Sequence, residues 1–576
     1  MLSAMRSDSH FAVKKEWFFR RLLSSDPRQR SATMEKLREE AMAMEPTVLE
    51  AHLPTMCRLA REAPLQDIRA GCRALLNDIR EQRGLQYKVK CTPENGDEPT
   101  DKDSDVSSFF RKSEVIGIVD NNDEELQAIF TRSFLQGGRV SHLTRMLAWH
   151  MPYLKLYRAS ITSIMLNDGP LPLEWRNYIA LMAAAEYRCH YVSTIHQHYF
   201  LVNGGDPAWL DGLDYVPAKL ARLHSLNALL AHQPWLITSD DVADLLASDS
   251  DGSSWSTSEL VHAIIVMCMY HSMCSIALGL GVSDEEDLAL LSSSSNPDSY
   301  IGAIARRCSI GKASECGSEF GSPEYDSARM EMEEAMLRQR LAKDAEFTAS
   351  DDEDGPEDNE STDKDDDEDD DEQVEGHFEV AALPPSGRVR GLSSTAHLKG
   401  ELWRYCSETF IEYVDFDVKS REYNVLHTED FSWDEHCFSL VSRYFPGQGG
   451  QILEDLFKLT LKMTYHSYGA SGDNQEPNEL DTTPFRHAIW YYVHRIYGIC
   501  HDDYDYKNVN IFLNRPTKQF VKKVACTPWR VTAKDIEHFN HTLTASEKCH
   551  VTLLTAEARK QAGLMYGLRA VMQHFL

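Results

Sequence analysis

Three short runs bring together side chains able to do chemistry. The first is Glu186-Tyr187-Arg188-Cys189-His190-Tyr191-Val192, reaching on to His196. A cysteine reacts as its thiolate, so it needs nearby cations or an imidazole, and Arg188, His190 and His196 are the candidates. In an unbroken helix, Cys189 and His196 share a face but stand about 10 Å apart along the axis. Direct proton transfer then requires a kink or a bridging group, and spacing alone favours a buried structural cysteine. The second run is Asp481-Thr482-Thr483-Pro484-Phe485-Arg486. Thr483 suits an N-cap and Pro484 the first helical position, which makes Arg486 the third helical residue. A cation against the positive end of a helix needs a reason. Either it meets a carboxylate or phosphate ligand, or it pairs with Asp481 or another acid. The third run, Thr544-Ala545-Ser546-Glu547, is a capping box, with structural capping as its default role. Its carboxylate could instead neutralise an ammonium group. Arg486 and Glu547 together would supply the two poles that grip a free amino acid.

Other motifs carry less. His196/His198 and His538/His541 lack third and fourth ligands at zinc spacing, so no metal site is expected. Gly311-Lys312 lacks the glycine a P-loop requires, and G-x-S-x-G, H-E-x-x-H and dinucleotide fingerprints are absent. No cofactor is expected.

The elements that must position these residues read as helices. Apolar residues at 3–4 spacing mark Leu49 to Leu59 and Leu65 to Ile79, the latter opened by Pro64. Helical spacing or long helix-forming runs follow at Leu126–Phe134, Val140–Met165, Pro172–Phe200, Pro217–Ala231, Thr238–Ala247 and Ser256–Leu280. A last strong helix carries Val551, Leu554, Ala558, Leu564, Leu568 and Val571. The expected fold is all-α, with a helical extension and linker over 1–105, a helical domain over 106–295, a disordered acidic linker over 296–395 and a second helical domain over 396–576. A faint repeat links the two domains. Arg176 and Arg486 each open a helix, and each precedes a Cys-His pair (Cys189-His190, Cys500-His501) by thirteen or fourteen residues.

Composition narrows the function. The chain of 576 residues is 42% hydrophobic and carries a net charge of −31. Residues 351–372 hold sixteen Asp/Glu against one Lys, a charge of −15 that reads as a solvated spacer. Such a chain repels phosphate backbones, so nucleic acid is not an expected partner. Thirteen cysteines without a C-x-x-C pair suit a reducing compartment, and the N-terminus shows no apolar signal core. Leu260–Val282 is apolar enough to span a bilayer. Its His262, His271, Ser272 and Ser275, the acids Asp284 to Asp287 beyond it, and the lack of flanking cations favour a core helix instead. No membrane span is expected.

The runs Asp168–Leu173, Tyr178–Ala185, Val202–Leu210, Ala231–Ile237, Ala488–Trp490, Asp502–Tyr506 and Ser546–His550 resemble those of the sestrins, stress-inducible regulators of TOR-complex signalling. The resemblance implies two alkyl hydroperoxidase D-like halves. It places the family's redox cysteine on Cys189, with Tyr191 and His196 as relay. Val192 stands where related peroxidases carry a second cysteine, so turnover would draw on an outside thiol. The resemblance also implies a free-leucine site in the second half: Glu547 for the amine, Arg486 for the carboxylate, Thr464, Tyr465 and Ser467 as lid, Thr482 as latch, and His550 one turn beyond Glu547. Asp502, Asp503, His150 and Ser256 match contacts to the GATOR complex. Two positions depart from the family. Asn540 replaces a pocket tryptophan, removing apolar burial of about 2 kcal/mol, and Phe485 replaces an aliphatic residue. The function implied is a leucine- and stress-responsive negative regulator of TOR complex 1 in the cytoplasm and nucleus, binding GATOR. The alternatives are a Cys189-dependent alkyl hydroperoxide reductase and a scaffold that has lost both activities.

Overall fold

The computed structural model describes residues 19–84, 106–119, 121–247, 254–285, 287–288, 400–406, 411–416, 424–463, 481–540 and 543–576. They belong to one compact unit that takes in residues 1–305 and 378–576. A second unit, 306–377, lies outside the described residues, as do the 91–105 linker and the acidic tract. The fold is all-α, as expected. Among the described residues the strands are β1 (Leu426–His427) and β2 (Ile499–Cys500), which pair in parallel.

The chain begins with α1 (Pro27–Ala43), α2 (Pro46–Glu62) and α3 (Gln66–Arg83). Leu49, Leu53, Met56 and Leu59 of α2 are buried, as are Ile68, Cys72, Leu75 and Ile79 of α3. Each such side chain contributes about 1.5–3 kcal/mol by leaving water. Pro64 does not open α3. The helix starts two residues later with Leu65 as N-cap, and Gly84 closes it at φ +65°.

Next come α4 (Glu124–Gly137), α5 (His142–Leu147), α6 (Met151–Ile161), α7 (Leu173–Glu186) and α8 (His190–Val202). The single helical run expected over Pro172–Phe200 is therefore broken. Arg188 sits at φ +51°, a left-handed conformation costing an L-residue about 1–2 kcal/mol. Its guanidinium lies 4.7 Å from the Trp529 ring centre and 3.8 Å from Glu412, contacts that hold the turn. After a single helical turn at Ala218–Ala221, the longer elements are α9 (Leu223–His232), α10 (Ser239–Leu246), α11 (Thr257–Gly279), α12 (Phe438–Tyr444), α13 (Gly449–Lys462), α14 (Thr483–Ile496), α15 (Lys507–Phe512), α16 (Arg515–Cys526), α17 (Ala533–His538) and α18 (Ala545–His574).

The faint sequence repeat extends through this series. Helices α7 and α14 both have a buried arginine at their fourth position and end in a tyrosine before the Cys-His pair. Tyr187 donates to the Ala231 carbonyl at the end of α9, and Tyr497 to the Ala525 carbonyl at the end of α16. A Pro-Trp 3₁₀ turn follows each (Pro234–Leu236, Pro528–Arg530). Capping boxes at Thr238 and Thr532 then open α10 and α17, and those at Ser256 and Thr544 open the long helices α11 and α18.

Those two long helices make the most extensive helix–helix contact among the described residues. Every residue from Leu260 to Ala277 is buried, so the apolar stretch is a core helix rather than a membrane span. Arg559 on α18 serves both repeats. Its guanidinium lies 5.0 Å from the Tyr187 ring centre and 5.9 Å from that of Tyr497, and it donates to the Leu230 and Ala231 carbonyls.

Candidate functional site

Arg486 and Glu547 are both buried, at 3% and 5% exposure. The N-cap of α14 is Thr482 rather than Thr483, so Arg486 is the fourth helical residue. Asp481 accepts from the Thr483 amide at 2.9 Å. The Arg486 Nε donates to the Leu461 carbonyl near the end of α13 at 2.8 Å, Nη1 to the Thr482 hydroxyl and Nη2 to the Thr483 hydroxyl at 2.8 Å. In the first half, Arg176 likewise donates to the Leu171, Ile164 and Asn167 carbonyls. Each cation is therefore tied to main-chain carbonyls, Arg486 to that of Leu461 at the end of α13 and Arg176 to three in the segment before α7, which offsets its unfavourable place on the macrodipole. The two hydroxyl partners of Arg486 are neutral, and a carboxylate can replace them to form a stronger charge-assisted pair.

Glu547 completes the capping box of α18, its Oε2 accepting from the Thr544 amide at 2.7 Å. Its Oε1 is buried with no hydrogen-bond partner among the described residues. The repeat gives that atom a reference. Glu259 holds the equivalent position on α11, and there the Lys219 ammonium binds both carboxylate oxygens at 2.8 Å. In the second half no side-chain ammonium takes that place among the described residues.

His550 lies one turn beyond Glu547, with its Nε2 3.1 Å from the Thr460 carbonyl. Burial, then the charges of His150 and Arg486, push its pKa to about 3, so the ring is neutral near pH 7. His150 approaches it with ring centres 5.8 Å apart, and its Nε2 lies 2.9 Å from the Ser546 carbonyl. Arg486, His550, His150 and the first turn of α18 thus share one buried neighbourhood. The lid residues Thr464, Tyr465 and Ser467 lie outside the described residues. A groove of about 1010 Å³, lined by Ile129, Arg132, Lys155 and Arg158 among others, contains none of the expected site residues.

Cys189 is fully buried at the N-cap of α8, where the break at Arg188 puts it outside the helix. The thiol of Cys274 on α11 interacts with it. Burial and that contact push the Cys274 thiol well above its ordinary pKa. The expected relay residues make their described hydrogen bonds elsewhere. The Tyr191 hydroxyl accepts from the Leu143 amide at 3.0 Å and donates to Glu285 at 3.3 Å. His196 pairs through Nδ1 with the Asn177 side-chain oxygen at 2.9 Å and meets Tyr270 edge-on at 4.4 Å. Burial takes its pKa to about 3.

The expected partner positions differ in exposure. Asp502 and Asp503 reach solvent, and a hydrogen bond from His427 holds the Asp502 carboxyl below the usual carboxylate range. Ser256 is exposed and caps α11 through the Glu259 amide. His150 is 4% exposed, so its ring belongs to the interior described above.

Sequence reasoning missed Cys274, His427 and the buried acids Glu285 and Asp287. The first two are far along the chain from their partners. The acids stand in a charged run that reads as surface, though the cations that bury them, Arg58 and Arg139, were there to be matched.

Fold and site define an all-helical, internally repeated protein with a buried cation–carboxylate neighbourhood in one half and a buried thiol pair in the other. The chain belongs to the sestrin family. The family model described as PA26 p53-induced protein (sestrin) matches residues 105–575. A sestrin homolog from Dictyostelium discoideum is 34% identical over 542 residues, covering 92% of this chain and 83% of its own. Sestrin-3 from Mus musculus is 35% identical, covering 81% and 92%. Sestrin-2 from the same species is 31% identical, covering 78% and 87%. Membership supports a stress-induced regulator that works through protein partners.

Proposed function

We propose that the protein is an intracellular, leucine-responsive negative regulator of TOR complex 1, acting in cytoplasm and nucleus by binding the GATOR complex. One observation carries the ligand half of this reading: the buried Glu547 Oε1 has no described partner, whereas the equivalent Glu259 holds a lysine ammonium. A zwitterion entering a buried site must have both charges met. Glu547 would take the amine and Arg486 the carboxylate, at the expense of its bonds to Thr482 and Thr483. The exposed pair Asp502–Asp503 supports the partner half. Leucine shifts partner binding only as far as its affinities for the free and bound forms differ.

Calorimetric titration of leucine into the full chain tests the first half. One saturable site is expected, weakened some tens-fold by the loss of an aromatic wall at Asn540. Capture of GATOR, reduced by leucine, tests the second. GATOR capture without leucine binding would leave a constitutive scaffold.

A second reading, a Cys189-dependent hydroperoxide reductase, is favoured by the Cys274 contact. The Cys189 thiolate would attack the peroxide, releasing alcohol and leaving a sulfenic acid. The Cys274 thiol would then condense with it, giving a disulfide and water. This supplies from within the fold the second thiol that Val192 denies to a C-x-x-C cycle. Peroxide treatment and peptide mapping should yield a 189–274 disulfide, and Cys274→Ser should trap the sulfenic acid. No cross-linked peptide after oxidation would sink this reading.

A further inference from the structure

We propose that His427, Cys500 and Asp502 form a binding site for a thiophilic divalent cation of the Zn²⁺ class. The donors come from two segments that the fold pins together. β1 and β2 pair in parallel with His427 opposite Cys500, held by Leu426 N–H to the Gly498 carbonyl (2.8 Å) and Thr428 N–H to the Cys500 carbonyl (3.0 Å). Gly498 makes this approach possible. It sits at φ +76°, and a Cβ there would come within 2.5 Å of the Phe416 ring. Asp502 follows two residues after Cys500, its Oδ1 2.6 Å from the His427 Nδ1.

One ligand atom from each of the three residues falls within 4.8 Å of the other two. Around a tetrahedral zinc with bonds of 2.0–2.3 Å, ligand atoms stand about 3.5 Å apart. Closure onto an ion therefore needs only small side-chain adjustments. The charges balance, since one thiolate and one carboxylate neutralise a divalent ion and the imidazole adds a neutral donor. Sulfur and nitrogen together select zinc over magnesium or calcium. The fourth position is left to water or to a donor from a bound partner.

The internal repeat sharpens the contrast. Cys189 is fully buried against Cys274, whereas its counterpart Cys500 is half-buried beside a histidine and a carboxylate that reach solvent. Sequence spacing does not reveal the site, because its histidine lies 75 residues before Asp502 and is delivered by strand pairing. The site is separate from Arg486 and Glu547, so its failure would leave the leucine reading untouched.

The test uses the full chain with Cys91, Cys308 and Cys316 changed to serine, which leaves Cys500 and buried thiols. Addition of Co²⁺ as a spectroscopic probe should give a near-ultraviolet thiolate-to-cobalt band and tetrahedral visible bands at one equivalent, reversed by Zn²⁺. Cys500→Ser should abolish the band. His427→Ala and Asp502→Asn, both on exposed side chains, should each weaken Zn²⁺ binding tenfold or more with an unchanged helical circular dichroism spectrum. Absence of the charge-transfer band overturns the proposal, as does a band that survives Cys500→Ser. So does Zn²⁺ binding that His427→Ala and Asp502→Asn leave unaltered.

Discussion

Replacement of Asp287 by alanine should destabilise the protein by about 3–5 kcal/mol, the scale for breaking a buried ion pair on one side. The Asp287 carboxylate accepts from Arg58 Nε at 2.9 Å, from Arg139 Nη1 and Nη2 at 3.0 and 3.1 Å, and from the Thr55 hydroxyl at 3.3 Å. Arg139 also reaches Glu285 at 3.5 Å, and Glu285 accepts the His142 amide at the start of α5. Helix α2 is thereby tied to the loop before α5 and to the segment after α11. Without Asp287, Arg58 and Arg139 stay buried with most of their compensation gone. Since whole proteins are stable by only about 5–15 kcal/mol, such a loss is large. Chemical denaturation should show it, and α1–α3 should become the first protease-sensitive segment. A change below about 1 kcal/mol would show that the network is not structural.

The same carboxylate fixes a pH dependence. Burial alone would raise its pKa, but the charges and hydrogen bonds of Arg139 and Arg58 hold it well below the usual carboxylate range. A group depressed in the folded state contributes stability above its unfolded pKa of about 3.9, and that contribution fades as pH falls toward the folded value. Wild type should therefore lose this contribution below about pH 4, and Asp287→Asn should flatten that part of the profile.

Glu547→Gln should separate ligand binding from folding. Glutamine at the third helical position still completes a capping box, so the Thr544 amide keeps an acceptor. The change also removes a charge whose Oε1 is buried without a described partner, so unliganded stability should hold or rise. Leucine affinity should fall by about thirtyfold or more, the consequence of losing about 2 kcal/mol or more from a buried charge pair. Calorimetry and thermal unfolding on the same variant provide both readings. Unchanged leucine affinity would remove Glu547 from the site.

Local chemistry made much of this fold legible. The capping box at Thr544, the helix starts at Thr238 and Ser256, the 3–4 spacing in α2 and α3, and the long, mostly apolar run of α11 are each written in consecutive residues. The break at Arg188 was not, because an arginine at positive φ depends on Trp529 and Glu412, which only the tertiary fold brings near. Helix spacing therefore ran α7 and α8 together, and the cap of α14 was placed one residue late. In the site, Arg486 attracted notice as a cation in the wrong part of a helix, and that oddity proved to be shared with Arg176. The missing partner of Glu547 could not be read locally, since its meaning comes from comparison with Glu259 across the repeat. Cys274 and His427 stayed hidden for the same reason: contact between residues dozens of positions apart leaves no periodic signature.

The salt link between Lys219 and Glu259 sets the stoichiometry of the proposed sensor. One half of the molecule carries a permanently tethered amine of its own, so it cannot answer to a diffusing one. Each chain then counts ligand once, with a simple hyperbolic dose–response, and any steeper threshold in the cell has to arise downstream, in the assembly it joins.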